Sequence, residues 1–361
     1  MSPGLDAACV VELLARLGSL EACLEASPAD LEAAGLPART VGGLPRPRWS
    51  AVAAGLKWLE QQGHELVPVS DPRYPVALRA IPGAPVALFV RGDPQTLSLP
   101  QLAIVGSRRP TPAGREAAFD FALRLVSHGL VITSGLAAGI DAAAHRGALT
   151  GGGRTVAVCG TGLDQVYPAV NAGLAADIAA RGALVSEFPP GTPPRRAHFP
   201  RRNRLISGLA LGVLVVEAAF RSGSLITARL AAEQGREVFA VPGSIHNPIA
   251  RGCHRLIRDG ARLVESPEEV LEGLQPDLFR CVPQPRPDPR PAGPANSGTL
   301  DRDCKILLNA CGFGPVDPDS LVARTGFPPS TVASMLLMLE LRGEVESCPG
   351  GKFCRLPARR R

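Results

Sequence analysis

Short apolar runs separated by helix-length segments constrain this chain more than any other feature. The runs fall at 102–105, 130–133, 155–159, 183–186, 213–217, 238–242 and 262–264. Most of their residues are apolar rather than alternating with polar ones, the pattern of strands buried on both faces of a parallel sheet. Helices are predicted between them at 113–128, 140–149, 172–180, 202–209, 225–235 and 254–259. Such alternation specifies an α/β fold, a doubly wound Rossmann-like sheet, over residues 66–275. Ligands of these sheets bind outside the carboxyl ends of the strands, so the loops after the runs hold the candidate site.

Two smaller parts flank the sheet. Residues 1–65 read as a small helical domain in which Val10, Leu13, Leu14 and Leu17 recur at helical spacing, and 31–44 has the helix, glycine turn, helix rhythm of a degenerate helix-hairpin-helix, or SAM-like, domain. Its low basic content favours packing over DNA binding. A linker is expected at 276–299, where PQPRPDPRPAGP holds six prolines in twelve positions. Residues 300–361 offer three helical segments, with 318–325 and 329–342 separated at Gly326, then a hairpin through 344–356 with Gly350 and Gly351 at its tip. That order is a winged helix.

Charge narrows the partners. The formal net charge is +6, and of 39 basic residues only Lys57, Lys305 and Lys352 are lysine. Phosphate partners fit such a charge, but a GC-rich genome would also favour arginine, so where the arginines sit matters more than how many there are. From 301 to 347, however, seven acids face four bases, and the helix that would enter a groove begins Pro329, Ser330, Thr331, Val332 without a base. Sequence-specific duplex binding is therefore disfavoured there, and a partner-binding or auxiliary role is expected. No run of ~20 apolar residues is present, and the N-terminus lacks a basic signal-peptide start, so a cytoplasmic protein with no membrane span is expected. The nine cysteines form no CxxC pair, so neither a disulfide framework nor a metal site is expected. No GxxxxGK[ST] motif is present, which excludes a P-loop ATPase. Asp141 and His145 share a helix face but lack a third partner, and read as an ordinary helix pair.

Three strand-end loops carry glycine: Gly106, Ser107 and Arg108 before one helix; Ser134 and Gly135 leading to Asp141; and Gly160, Thr161, Gly162. Backbone amides at a helix start receive an anion, and Arg108 adds a fork to the same phosphate. Ser222, Gly223 and Ser224, opening the helix at 225, form a further phosphate candidate or an N-cap. The most informative stretch is Arg195, Arg196, Ala197, His198, Phe199, Pro200, Arg201, Arg202, Asn203, Arg204, because no acid lies between Glu187 and Glu217. Arginines for the backbone beside a ring for a base are the ingredients of single-strand binding.

Taken in order, VGSRRP at 105–110, SGLAAGID at 134–141, GTGLDQVYP at 160–168, FPRRNRLISGL at 199–209, RSGSLITARLA at 221–231 and VPGSI at 241–245 resemble the DNA-processing family DprA, also called Smf. The helical N-terminal part, the proline linker and LxxLELRGxV at 336–345 are similar to its longer members. The resemblance implies an extended Rossmann-like domain that binds single-stranded DNA, protects strands imported during natural transformation, loads the RecA recombinase and forms a homodimer through the α/β domain. It implies no catalysis and no cofactor. It places Gly106, Ser107 and Arg108 in a phosphate-gripping loop, Arg196 at the basic position before the aromatic, Phe199 in the base-stacking place, and Arg202 and Asn203 as the remaining polar members. The main rival is an enzyme of the nucleoside-monophosphate phosphoribohydrolase type, but its PGGxGT loop is broken here at Pro242, Gly243, Ser244, Ile245. A winged-helix transcription factor is disfavoured by the acidic C-terminal segment.

Overall fold

A computed structural model describes residues 6–42, 49–274, 302–311, 314–341, 344–348 and 351–356. The expected linker, Leu44 and Gly350 lie outside these residues. The chain forms two compact units, one holding the N-terminal helices and the sheet, the other the last three helices and a hairpin.

The sheet has nine strands: β1 His64–Pro68, β2 Ala87–Gly92, β3 Gln101–Gly106, β4 Val131–Ser134, β5 Thr155–Val158, β6 Ala183–Ser186, β7 Gly212–Val216, β8 Glu237–Ala240 and β9 Arg262–Leu263. Their order is β1-β2-β6-β5-β4-β3-β7-β8-β9. From β6 to β9 all neighbours are parallel. The seven apolar runs all became strands of this parallel part. Period-two alternation explains why continuous apolar runs were required: Leu102 and Ile104 pack into the layer on one face, Ala103 and Val105 into the layer on the other.

From β3 the chain winds outward through β4, β5 and β6, then returns to lay β7 against β3 and winds the other way through β8 to β9. The carboxyl ends of β3 and β7 therefore flank the topological switch point, where such sheets open a crevice. The sequence reading did not foresee β1 and β2, an antiparallel pair that joins the sheet through β2 against β6. Both are partly exposed, with the burial of an edge hairpin rather than a central strand.

The N-terminal helices are rooted in the same unit. The Ala7–Leu17 helix is capped by Asp6, whose side chain accepts from the Cys9 N–H, and Ala7 and Val10 are buried in the layer beneath the sheet. Ser27 and Asp30 make a reciprocal capping box at the helix Pro28–Ala33. Gly35, at φ +100°, then turns the chain into Ala38–Val41, the expected helix, glycine turn, helix rhythm. Trp58 is buried, its ring 4.1 Å from that of His64 and stacked on it, and 5.9 Å from Phe89.

The second unit consists of helices Arg302–Cys311, Pro318–Thr325 and Pro329–Leu341 and strands β10 Val345–Cys348 and β11 Lys352–Arg355, paired as a hairpin. Leu307, Leu321, Val332, Leu336 and Leu339 fill its core. Gly326, left-handed at φ 71°, ends the second helix, and Val316 bridges to Phe353, so the unit is the expected winged helix.

Candidate nucleic-acid interface

The loop after β3 is fixed by its backbone. A Cβ on Gly106 would overlap the Val216 carbonyl of β7, so only glycine permits the close approach of the two strands here. The Ser107 N–H donates to the Glu217 carbonyl at 2.7 Å, and the Ser107 carbonyl accepts from Ile140 N–H at 3.1 Å. With the loop pinned between neighbouring strand ends, Arg108 is left exposed, its guanidinium carbon 5.8 Å from the Phe199 ring centroid.

Phe199 reaches that position from the helix His198–Leu209, which begins four residues earlier than the sequence suggested. Pro200 falls in its first turn, where the missing N–H is tolerated. The helix is oriented by His198, whose Nδ1 donates to the Gly160 carbonyl at 3.2 Å and whose ring stacks on Phe188 at 4.3 Å. Gly160, after β5, lies directly under the Phe199 ring: a Cβ there would be 3.1 Å from Cδ1. Tyr167, from the GTGLDQVYP run, places its ring 5.5 Å from that of Phe199 at an angle of 42° and is about half exposed. A cation, two rings and a glycine floor thus converge at the carboxyl edge of the sheet. Arg195 and Arg196 precede this helix and are exposed.

The other arginines of the basic stretch turn inward. Arg202 is buried, donates to the Val158 carbonyl, and lies against Asp141 beside Gly135, where a Cβ would overlap its guanidinium. Burial lowers the pKa of Arg202 and raises that of Asp141, each opposed by the other's charge. Asp141 also accepts from the Gly135 N–H at 3.1 Å, so the second glycine loop is closed over two buried groups of opposite charge. Ser134 is buried as well, its hydroxyl donating to the Ile104 carbonyl at 2.6 Å. Arg204 meets Glu187 at 2.5 Å and Arg201 meets the same carboxylate at 3.2 Å, with the Glu187 side chain fully buried.

His145 completes this interior. The Thr155 hydroxyl donates to the Ile132 carbonyl at 2.5 Å, which assigns the hydrogen of the 2.7 Å bond to His145 Nδ1. Nε2 is buried without a hydrogen-bond partner. Burial, and then the charge of Arg202, push its pKa down to about 3. Asp141 and His145 are thus separate parts of the packing, as an ordinary helix pair.

Asn203 is buried and donates to the Gly223 carbonyl at 3.4 Å. It braces the loop in which the Ser222 and Ser224 hydroxyls bond at 2.7 Å; Gly223 is exposed and Ser224 buried. The structure therefore gathers Arg108 and Phe199 on one rim with Gly106 and Ser107 as its backbone. Ser134, Gly135, Arg202 and Asn203 lie beneath that rim, and Ser222 to Ser224 form a separate loop. Sequence reasoning missed Tyr167, Glu187 and Glu217. Tyr167 had a signal, being one of only two tyrosines and lying in a glycine-bearing strand-end run.

Among the described residues no group of His, Cys, Asp or Glu is placed to hold a metal ion, and no helix is long and apolar enough to cross a membrane.

The family model for DNA recombination-mediator protein A matches residues 65–275, and that for the DprA winged helix domain matches 287–351. Protein Smf of Escherichia coli is 46% identical over 312 residues, covering 84% of this chain and 81% of its own length. DNA processing protein DprA of Streptococcus pneumoniae is 48% identical over 203 residues, 56% of this chain and 72% of the relative. The X-ray structure of the S. pneumoniae protein superposes with a TM-score of 0.65 at 39% identity, covering 75% of this chain and 94% of that one. A structure of DNA processing protein A from Helicobacter pylori, described for its single-stranded DNA binding mode, gives a TM-score of 0.52 at 31% identity over 55% of this chain and 92% of that one. With family models covering both units and close relatives spanning most of the chain, the protein belongs to the DNA recombination-mediator protein A family, the DprA/Smf proteins.

Proposed function

We propose that this chain binds single-stranded DNA across the rim formed by Arg108, Phe199, Tyr167 and Gly160, with Arg195 and Arg196 contributing charge beside it. The observation that carries this reading is the Arg108 to Phe199 contact. A phosphate-binding guanidinium and a base-stacking ring lie side by side on an accessible edge, within a single nucleotide's reach. The H. pylori relative, described for single-strand binding, supports the same chemistry here.

The family membership supports a wider role. Bound strand is protected and passed to a RecA-type recombinase during natural transformation, in the cytoplasm, by a homodimer joined through the α/β domain. The protein acts by binding and performs no catalysis. The winged-helix unit, with its acidic balance, serves a partner rather than a duplex groove.

Fluorescence anisotropy of a labelled dT oligonucleotide over a salt series, with a duplex competitor of equal length, tests the core of this reading. Preference for the single strand is expected, with a log-log salt slope of about −0.7 per phosphate neutralised. Binding no better than to duplex would overturn it, and release of free base from a nucleoside monophosphate would point instead to the phosphoribohydrolase chemistry.

A further inference from the structure

The switch-point crevice holds an acid that the nucleic-acid rim does not use. Glu217 follows β7 and adopts φ 50°, a left-handed conformation that a non-glycine residue rarely takes. Its carbonyl receives the Ser107 N–H at 2.7 Å. Its carboxylate fills the space against Gly114, in the first turn of the helix Pro112–Ser127, where a Cβ would overlap it. The other carboxylate oxygen accepts from Asn247 Nδ2 at 3.5 Å, which brings in the loop after β8. Three strand-end loops at the switch point therefore converge on one residue.

In a doubly wound sheet the turn from the central strand into its helix is where a nucleotide's pyrophosphate sits, drawn by the helix's free N–H groups. β3 is that strand here and Pro112–Ser127 that helix. The space beside the first turn of that helix is taken from within by the Glu217 carboxylate, which is negative like the anion and offers acceptor oxygens, though with less charge than a pyrophosphate. Arg108, the cation of the same loop, points away to Phe199.

We propose that Glu217 is a specificity-determining residue: an internal anion that closes the fold's pyrophosphate position, so that free nucleotides and dinucleotides are refused and only strands laid across the rim are held. Closure of the position is a property of this crevice alone, whereas the preference for strands rests on the single-strand reading above. Glycine at this place accommodates the positive φ without strain and keeps the carbonyl that receives Ser107.

Isothermal titration of the full chain with inorganic pyrophosphate, alongside a dT oligonucleotide, tests it. The parent, and the parent carrying Arg108→Ala to silence the rim, are expected to show no saturable pyrophosphate binding. Glu217→Gly is expected to bind pyrophosphate at least about tenfold more tightly than the parent. A folded Glu217→Gly protein with no gain overturns the closure, as does saturable binding by the Arg108→Ala protein. That second measurement decides the matter even if Glu217→Gly does not fold. Failure of the parent to bind dT would instead strike the single-strand reading and leave the pyrophosphate comparison standing.

Discussion

The guanidinium of Arg108 and the ring of Phe199 touch across 5.8 Å although one belongs to the loop after β3 and the other to a helix ninety residues later. On the single-strand reading proposed above, the ring would receive a base and the cation the phosphate next to it. Arg108→Ala and Phe199→Ala should each weaken dT binding. The double variant should lose less than the sum, because the two groups act on one nucleotide and orient each other. Strict additivity in a double-mutant cycle would show that the contact plays no part in binding.

Charge and stacking separate in a salt series. Arg196→Ala should make the log-log slope shallower by about 0.7, the contribution of one phosphate contact to single-strand binding. Phe199→Ala should leave the slope alone and weaken binding by about 1–3 kcal/mol at every salt concentration. Together the two should reduce affinity by at least about tenfold. A folded double variant that binds as the parent does would remove both residues from the interface.

Neighbouring arginines should fail in different ways. Arg204 is mostly buried against the fully buried Glu187, so Arg204→Ala leaves that carboxylate with only the more exposed Arg201 and should destabilise the fold by up to about 3–5 kcal/mol. Arg201 meets the same carboxylate from a side chain 44% exposed, and Arg201→Ala should cost only about 0–1 kcal/mol. Urea unfolding of the two variants checks the ranking, and equal losses would contradict it.

The buried imidazole gives stability a pH dependence of defined sign. His145 has a folded pKa of about 3 against an ordinary 6.5. The unfolded chain therefore takes up the proton first. Its contribution is fully present above about pH 6.5 and declines by roughly 1.4 kcal/mol per pH unit as pH falls toward 3. The His145→Gln protein should show a shallower fall between pH 6.5 and 5 than the parent. Parallel curves would mean that the ring gains a proton without unfolding.

The centre of the sheet was legible because β3 to β7 are buried on both faces, so their residues cannot alternate and the runs stand out. β1 and β2 escaped because HELVP and ALFVRG sit at a partly exposed edge and carry charge among their apolar residues. Arg108 and Phe199 were legible as residue types at a strand end and in a basic stretch. The fates of Arg201, Arg202 and Arg204 were not. Counting charge along the chain shows no acid near them, while folding brings Glu187 from the end of β6 and Asp141 from another helix. Tyr167 lies in the GTGLDQVYP run, but only the fold lays its ring beside Phe199. Glu217 gave no signal at all, because its importance lies in a backbone angle and in Gly114 a hundred residues earlier.

The edge hairpin makes the border between the helical segment and the sheet a stitched seam rather than a joint. β1 crosses residue 65, pairs along its length with β2, and is backed by Trp58, whose buried ring touches both His64 and Phe89. A shortened protein starting at residue 66 would tear that seam, leaving Val90 and Arg91 of β2 without their partners and Phe89 without the Trp58 ring. Its trouble would be stickiness, with molecules pairing edge to edge, even though every residue of the proposed nucleic-acid rim would still be present.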